Sequence, residues 1–483
     1  MRPLRLRGAF CGKNQRKNEI NEIMNTNIKI ADTEKYINAV AEYNKEKNKY
    51  AAVITLGCQQ NEADSEKLRA FAIEMGYVIT DSPEDADMIV VNTCAVRRHA
   101  ELKALSIVGN FKSLKKEKGE LVIGVCGCMA AEPHIAATIK KSYPQVSFTL
   151  EPSQIHRFPE MVYNSLIKKR RSFLFGTEDF DVIEGMKSER QSSFKAWVSI
   201  VYGCNNFCSY CIVPYVRGRE RSRESSEVIM ECRDLVERGY KEITLLGQNV
   251  NSYKSDRTFA ELIEEIAKID GDFIIRFMTS HPKDVSDKLI EVIGKYNGKI
   301  VPAFHLPLQS GSDRVLKEMN RTYDTKKYLQ TVEKLRQAVP EIALTSDIIV
   351  GFPTETDEDF EDTMKILEQV RFDMVYSFIY SKREGTKAAK LENNISEETK
   401  KARMARLLDV QCRISHEIND TYIGKTVRVL VDSYDEKNGV RIYNARTLTN
   451  KLVHFESEIA PIGEFVNVKI SRAGAFDLFG SQI

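Results

Sequence analysis

The 483-residue sequence lacks several features that would have indicated its function directly. It has no uninterrupted apolar run of about 18 residues, which excludes a membrane-spanning helix. Positive and negative charges nearly cancel, with a net charge of +2, so a nucleic-acid partner must be argued from local clusters. The loop at residues 351–356 lacks the lysine and the glycine pattern of a phosphate loop. Ten cysteines without the character of a small secreted domain favour a reducing compartment, and we expect the cytoplasm.

One short segment of the chain carries most of the chemical information. Cys204, Cys208 and Cys211 are separated by three and two residues, and no fourth cysteine follows nearby. Thiolates at this spacing can bind three irons of a 4Fe-4S cube and leave the fourth iron open to the amino and carboxylate groups of a small molecule. A structural zinc site normally has four protein ligands. We interpret the segment as an open iron-sulfur site, and the alternative is a zinc site completed by a distant Cys or His.

A second set of cysteines follows apolar, β-branched segments of the N-terminal half. Cys58, Cys94 and Cys128 each stand where such a segment ends. The carboxyl ends of parallel strands meet at one edge of a sheet, so these thiols are predicted to bind a second cluster. Cys126 competes with Cys128, and we choose Cys128 because it stands at the turn after the strand. The other cysteines have no partner at ligand spacing and are predicted to be structural: Cys11, Cys232 and Cys412.

The alternation of strands and helices predicts an α/β protein with several domains. Strands at 51–56, 88–92, 121–126 and 146–150 indicate a doubly wound domain. Six further strands, alternating with helices, indicate a parallel partial (β/α)6 barrel whose reactive face is at the carboxyl ends of its strands. Short strands after residue 416 indicate a small β-barrel. The predicted boundaries are 1–49 for a partly disordered extension, 50–165 for the first domain, 166–193 for a linker, 194–415 for the barrel and 416–483 for the last domain.

Four sequence motifs carry a resemblance to a known family over residues 50–483. They are residues 203–208 (GCNNFC), 214–223 (PYVRGRERSR), 246–253 (LGQNVNSY) and 305–312 (HLPLQSGS). The sequence resembles the radical S-adenosylmethionine (SAM) methylthiotransferases, and within them the MiaB-type branch that acts on tRNA. Gln60 departs from the family pattern, which usually has Met there, but Cys58 and Asn61 are present.

The resemblance implies a radical SAM barrel, a C-terminal TRAM domain that binds RNA, two 4Fe-4S clusters and SAM. Cys204, Cys208 and Cys211 would bind the cluster that cleaves SAM, and Cys58, Cys94 and Cys128 the auxiliary cluster that supplies a methylated sulfur. The implied reaction converts N6-isopentenyladenosine beside the tRNA anticodon to its 2-methylthio derivative, starting with hydrogen abstraction from carbon 2 of adenine. All six cysteines would then be catalytic through their clusters.

SAM contacts are predicted from position at the carboxyl ends of the barrel strands. Polar side chains there could hold the methionyl and ribose groups, although such residues also cap helices and support turns. The candidates are Gln248, Asn249, Ser280, Gln309, Ser310 and Asp347.

RNA contacts are predicted at two places. Arginines recur at every second position after the cysteine segment and would form one cationic row if the chain is extended there; the alternative is a solvated strand with ion pairs. In the C-terminal domain, a local RNA-binding face would consist of Arg441, Tyr443, Asn444, Arg446 and Lys451, with Tyr443 stacking on a base. The arginines of the first group are Arg217, Arg219, Arg221 and Arg223.

The implied partners are the anticodon stem-loop of tRNA, an electron donor such as flavodoxin or ferredoxin, and sulfur or iron-sulfur assembly proteins. We expect a monomer without membrane attachment. One alternative is a sister methylthiotransferase that acts on threonylcarbamoyladenosine in tRNA or on a ribosomal protein. Another is a non-enzymatic RNA-binding protein with structural zinc.

Overall fold

The structure, a computed structural model, describes residues 33–95, 98–174, 183–437, 439–459 and 461–483. The chain forms two compact units, residues 1–189 and 190–483. Helix α1 (33–44) precedes the first strand, within the segment that the sequence analysis gives as a partly disordered extension. Cys11 and most of the predicted extension lie outside the described residues. No described helix is long and apolar enough to cross a membrane.

The first unit contains a six-stranded sheet in which every paired strand is parallel. Its strands are β1 (Lys49–Leu56), β2 (Tyr77–Ile79), β3 (Met88–Thr93), β4 (Val122–Gly127), β5 (Phe148–Leu150) and β6 (Ser172–Phe173). The order across the sheet is β2-β1-β3-β4-β5-β6. The helices are α2 (Gln59–Glu74), α3 (Arg98–Glu117), α4 (Pro133–Ser142) and α5 (Phe158–Leu166).

Both faces of this sheet are covered, which explains its continuous apolar strands. In β3, Met88 and Val90 join one apolar cluster, whereas Ile89 and Val91 join a second cluster on the other face. Successive side chains of a strand point to opposite faces, so a single β-branched segment supplies both cores. The doubly wound fold predicted from the sequence is therefore confirmed.

The second unit begins with six parallel barrel strands in two hydrogen-bonded sheets. The strands are β7 (Lys195–Ser199), β10 (Glu242–Leu246), β11 (Ile274–Phe277), β12 (Ala303–His305), β13 (Ala343–Val350) and β14 (Met374–Ile379). One sheet has the order β11-β10-β7 and the other β12-β13-β14. A parallel bridge between Ile275 and Ile300 joins β11 to the segment before β12. The six strands confirm the predicted partial barrel. Two short antiparallel strands, β8 (Val201–Tyr202) and β9 (Arg221–Ser222), follow β7.

Amphipathic helices cover the outside of the barrel and share one large apolar core with it. A single turn, α6 (Val213–Val216), follows the cysteine segment and contributes no residue to this core. The helices that cover the barrel are α7 (Ser225–Glu237), α8 (Phe259–Ala267), α9 (Asp287–Lys295), α10 (Asp313–Glu318), α11 (Thr325–Ala338), α12 (Asp357–Val370) and α13 (Glu397–Asp420). Helix α13 and the short helices α6 and α10 were not predicted, and the proposed boundary at 415/416 falls inside α13.

The C-terminal residues form a closed five-stranded barrel, as predicted. Its strands are β15 (Thr426–Lys437), β16 (Val440–Thr447), β17 (Leu452–Glu456), β18 (Phe465–Ala473) and β19 (Asp477–Gln482), in the order β15-β16-β17-β19-β18. Because β15 pairs with both β16 and β18, the sheet has no open edge.

Charged contacts hold this small barrel against the amino ends of the parallel strands. Lys451 pairs with Asp373 just before β14, and Lys195 at the start of β7 pairs with Asp432. Arg276 donates to the carbonyl oxygens of Thr447 and Leu448 at 3.1 and 3.2 Å. The carboxyl ends of the strands, where a barrel carries its chemistry, lie on the other side.

Candidate functional site

The first cysteine group lies in a loop enclosed by β8 and β9. Cys204 and Cys208 are buried and Cys211 is half-buried. Gly203 opens the loop with φ +76°, and a Cβ there would lie 2.1 Å from the carbonyl oxygen of Arg219. Only glycine combines this backbone conformation with so close an approach. The turn that positions Cys204 therefore depends on Gly203.

Distant segments fix the rest of this loop. The Cys204 N–H donates to the Gly218 carbonyl at 3.2 Å, and the Ser209 N–H donates to the Met319 carbonyl at 2.9 Å. The Asn320 amide donates to the carbonyls of Asn206 and Phe207 at 3.1 and 3.0 Å. The loop is thus held by backbone and amide contacts that leave its thiols available for other partners.

The three thiols of the loop lie close enough to influence one another. Burial raises the pKa of Cys204 to about 11, and the nearby Cys208 adds to that effect. Burial and the same neighbour raise the pKa of Cys211 to about 12. Three thiolates here would repel one another unless a cation lay between them, and bound iron supplies that positive charge. Arg321 adds a positive charge, because its Nη1 donates to the Cys208 sulfur at 3.4 Å.

The second cysteine group lies at the carboxyl ends of three strands in the first unit. Cys94 and Cys128 directly follow β3 and β4, and Cys58 is the second residue after β1. These strands are adjacent and parallel, so the cysteines occupy one edge of the sheet, as the sequence predicted. Cys58 is exposed, whereas Cys94 and Cys128 are buried. Cys126 belongs instead to the apolar core, and burial raises the pKa of its thiol.

Two buried amides join the turns at this edge. Asn61 donates to Asn92 Oδ1 at 3.1 Å and to the Thr93 carbonyl at 3.2 Å, and Asn92 donates back to the Asn61 carbonyl at 2.8 Å. Asn61 Oδ1 also lies 3.4 Å from both the backbone nitrogen and the sulfur of Cys58. This pair of amides fixes the turns before Cys58 and Cys94 relative to each other.

The donor set at both places fits an iron-sulfur cluster. Each offers three thiol sulfurs, the ligands that soft iron clusters prefer. Among the described residues, no three His, Cys, Asp or Glu side chains already stand in the arrangement of a metal cage. The thiols would therefore have to turn toward a bound cluster, with the backbone around them already fixed.

Unsatisfied polar atoms mark the rim near the first cysteine group. Ser280 Oγ, Asn249 Oδ1 and the side-chain amide of Asn251 are buried without a hydrogen-bond partner in the described chain. Buried polar groups are normally paired, so these atoms fit a site that receives a polar ligand. Gln248 Oε1 accepts from the Gly203 N–H and so connects this rim to the cysteine loop.

The other predicted SAM contacts have different surroundings. Ser310 is completely buried, and its hydroxyl accepts from the Ser312 N–H at 3.2 Å, which favours a structural role. Gln309 is buried with φ +72°. Asp347 is half-buried inside the barrel, with one carboxylate oxygen 3.5 Å from His305 Nε2.

The four arginines after the cysteine loop do not form one cationic row. Residues 217–219 are not extended, and Arg217 is buried. Arg223 pairs with Glu231 at 2.7 Å, and Arg221 donates to the Arg217 carbonyl at 3.1 Å. Arg219 is exposed and lies 4.4 Å from the Phe207 ring centre. The predicted row fails because local turns and ion pairs, rather than a strand, organise the segment.

The predicted face of the small barrel is also corrected. Tyr443 is buried and stacked on Phe455, so it is a core residue and cannot stack on a base. Lys451 is buried in its ion pair with Asp373. Arg441 remains at the surface, 5.0 Å from the ring centre of exposed Tyr434. Arg446 is partly exposed, 3.7 Å from Asp432.

Several residues that shape these sites were not assigned from the sequence. Asn251 lies in a quoted motif but had no role, and Asn92 immediately precedes the Thr93-Cys94 pair. Arg321 is 113 positions from Cys208 in the sequence, so no motif around either residue indicates their contact.

Family comparisons agree with this architecture. Residues 198–367 match the Radical SAM superfamily, residues 50–151 match Uncharacterized protein family UPF0004, and residues 420–483 match the TRAM domain. The fold and the barrel cysteine loop thus define a radical SAM protein with an additional N-terminal domain and a TRAM domain.

Curated relatives narrow the family further. A protein of Acetivibrio thermocellus named tRNA-2-methylthio-N(6)-dimethylallyladenosine synthase is 48% identical, covering 94% of this chain and 96% of its own length. A protein of Clostridium botulinum with the same name is 47% identical, covering 96% of this chain and 100% of its own. The chain belongs to the family of MiaB-type tRNA methylthiotransferases, which confirms the resemblance predicted from its motifs.

A solved structure shows the same fold at lower similarity. It is the radical S-adenosylmethionine methyltransferase TsrM from Kitasatospora setae with cobalamin and a [4Fe-4S] cluster bound. The TM-score is 0.53 at 12% identity, covering 71% of this chain and 77% of that chain. At this identity the similarity concerns the fold alone.

Proposed function

We propose that this protein converts N6-isopentenyladenosine next to the anticodon of tRNA to 2-methylthio-N6-isopentenyladenosine. The observation that carries the proposal is the presence of two separate three-cysteine groups, one in the barrel loop and one at the edge of the first sheet. The names of the relatives, at 48% and 47% identity over nearly the full length, support the substrate.

Each cysteine group has its own task in this proposal. Cys204, Cys208 and Cys211 would hold the cluster that binds SAM, and Cys58, Cys94 and Cys128 would hold the auxiliary cluster. When bound, the clusters and SAM supply the radical chemistry at carbon 2 of adenine and the sulfur that replaces its hydrogen. The chain itself fixes the loop backbone, buries the thiols and presents polar groups to the cosubstrate.

The rim beside the barrel loop is the proposed SAM site. Asn249, Asn251 and Ser280 have buried polar atoms that would gain partners from the amino, carboxylate or ribose groups of SAM. Gln248, which accepts from Gly203, would set the distance between this rim and the cluster loop. Asp347 and Gln309 stay further candidates for this site.

RNA contacts are proposed at two exposed arginines that each lie beside an aromatic ring. Arg219 with Phe207, beside the cysteine loop, and Arg441 with Tyr434, on the small barrel, offer a positive charge next to a ring. Guanidinium groups contact phosphates and aromatic rings stack on unpaired bases, so both pairs suit a single-stranded anticodon loop.

The partners and location belong to the same proposal. The reaction needs an electron donor, such as flavodoxin or ferredoxin, and iron-sulfur assembly proteins to load the cysteines. We expect a monomer, because one chain carries both cysteine groups and the TRAM domain. We expect the cytoplasm, because thiols that serve metals fit a reducing compartment.

The test is an anaerobic reaction of reconstituted protein with SAM, dithionite, sulfide and an isopentenylated anticodon stem-loop, followed by mass spectrometry of the digested RNA. The methylthio nucleoside is expected with the native chain and should be lost in Cys208→Ala and in Cys94→Ala. Cys412→Ala, which removes an exposed cysteine of α13, is the matched control and should retain product formation.

Absence of product from chain that contains iron and cleaves SAM would contradict the substrate assignment. The same assay with a threonylcarbamoyladenosine stem-loop would then test the sister branch. A colourless protein that contains zinc after anaerobic purification would contradict the iron-sulfur assignment itself.

A further inference from the structure

Arg321 is a buried cation whose surroundings the proposed reaction does not yet explain. It follows α10, and only 8% of the residue is exposed. Its Nη1 donates to the sulfur of Cys208 at 3.4 Å, its Nη2 to the Pro307 carbonyl at 2.9 Å and its Nε to the Tyr323 hydroxyl at 2.9 Å. The three contacts fix the guanidinium against the cysteine loop.

The hydrogen-bond partners of this cation in the described chain do not include a carboxylate. They are a thiol, a carbonyl and a phenol hydroxyl. Buried charges are usually paired, and a buried charge without an opposite charge is strongly destabilising. Of its three partners, Cys208 is the one that would carry a negative charge as a metal-bound thiolate, so the counter-charge of Arg321 is expected there.

A thiolate-bound cluster would supply that counter-charge. Three thiolates on an iron-sulfur cluster give a group that becomes more negative by one charge when it accepts an electron. A fixed cation at hydrogen-bond distance from one ligand stabilises the reduced form more than the oxidised form, because Coulomb attraction grows with the charge. Hydrogen bonds to cluster sulfurs act in the same direction.

We propose that Arg321 is a positioning residue that raises the reduction potential of the cluster at Cys204, Cys208 and Cys211. The inference rests on the proposed function in one respect, namely that Cys208 binds a cluster. The step is the transfer of one electron from the external reductant to the oxidised cluster, without transfer of a proton. Arg321 makes this step easier for the donor.

The second cysteine group has a different neighbour. The Cys58 sulfur lies 3.4 Å from the neutral amide oxygen of Asn61. The hydrogen bonds of Arg321 in the described chain go to Cys208, Pro307 and Tyr323, and not to a cysteine of the second group. Loss of Arg321 should therefore change the potential of one cluster and leave the other unchanged. This difference supplies an internal control within the same chain.

The experiment uses the full chain with Cys58, Cys94 and Cys128 changed to Ala, so that only the barrel loop can bind a cluster. Redox titration followed by electron paramagnetic resonance gives the potential in this background and with Arg321→Met added. Tyr323→Phe is the matched control, because it removes the hydroxyl that contacts Arg321, Pro307 and Leu308 while it keeps the cation. The same titration of the native two-cluster chain and its Arg321→Met variant tests the internal control.

We expect Arg321→Met to lower the equilibrium constant for reduction at least about tenfold, a decrease of about 59 mV for a one-electron couple. Tyr323→Phe should stay within about threefold of the native value, which is less than one such tenfold step. An unchanged potential in Arg321→Met with full iron content would overturn the inference. Failure of the native loop to bind iron would instead contradict the proposed function.

A second pair of variants keeps the test decisive if Arg321→Met does not load iron. Arg321→Lys retains the charge, whereas Arg321→Gln retains only a polar group. The equilibrium constant for reduction should be at least about tenfold larger in Arg321→Lys than in Arg321→Gln, a potential higher by about 59 mV. Equal potentials in the two variants would overturn the inference.

Discussion

At the scale of single residues, Cys126 and Cys128 show how two cysteines at the end of one strand acquire different roles. Cys126 lies within β4 and packs in the apolar cluster that contains Phe148 and Leu150. Cys128 begins the short 3-10 helix after β4, beyond Gly127. A residue beyond the strand end can face a ligand at the sheet edge, whereas a core residue cannot.

Iron content should separate these two cysteines. Cys128→Ala is expected to lose the auxiliary cluster, about half of the iron, because one of three thiolate ligands is removed. Cys126→Ala should keep both clusters and lower the free energy of unfolding by about 1 kcal/mol, because a small buried group is lost. Iron analysis and chemical denaturation of both variants check this. Full iron in Cys128→Ala would show that we chose the wrong cysteine.

The sequence predicts the cysteines well because spacing and strand ends are local properties. It fails for Arg321, since the contact with Cys208 arises only when α10 and the barrel loop meet. It fails for Tyr443 because alternation in a small barrel does not reveal which face is enclosed. Arg217 was misplaced because a run of arginines does not distinguish a strand from a turn.

At the scale of elements, the turn between β4 and the following 3-10 helix brings Cys128 to the sheet edge. Gly127 has φ +94°, and a Cβ there would lie 2.4 Å from both Asn92 Oδ1 and the Thr93 carbonyl. The turn thus needs a glycine for its backbone conformation and for its contact with the buried amide pair.

Gly127→Ala should destabilise the first unit by about 2–4 kcal/mol, because it combines left-handed strain with a clash against backbone. Gly119→Ala is the matched control, since a Cβ at Gly119 meets nothing within 4 Å and its stability should change by less than about 1 kcal/mol. Hydrogen exchange measured on peptides of β1, β3 and β4 reports the effect. Equal exchange in the two variants would refute this account of the turn.

Most elements near the sites could be predicted because their apolar periodicity is strong. The omitted strands β2, β6 and β9 have three, two and two residues and are too short to show alternation. Helix α13 was omitted because its mainly polar sequence, with charges throughout Glu397–Asp420, obscures the apolar stripe formed by Leu407 and Ile414.

At the scale of the whole second unit, charged contacts attach the small barrel to the amino ends of the parallel strands. The Lys451–Asp373 pair is 2.6 Å long, with 9% and 12% of the side chains exposed. Arg428 and Asp272 are also 2.6 Å apart, but 39% and 62% of their side chains are exposed. The two pairs have the same length, so they differ mainly in the water around them.

Lys451→Met should therefore weaken the attachment far more than Arg428→Met. The first change leaves the Asp373 carboxylate buried without its cation, a loss of about 3–5 kcal/mol, whereas an exposed pair contributes less than about 1 kcal/mol. Limited proteolysis of the segment between α13 and β15 should be faster in Lys451→Met and unchanged in Arg428→Met. The double variant Lys451→Met/Asp373→Leu should recover much of the loss, because it removes the unpaired charge. Equal cleavage rates in the two single variants would show that burial of the ion pair does not hold the small barrel in place.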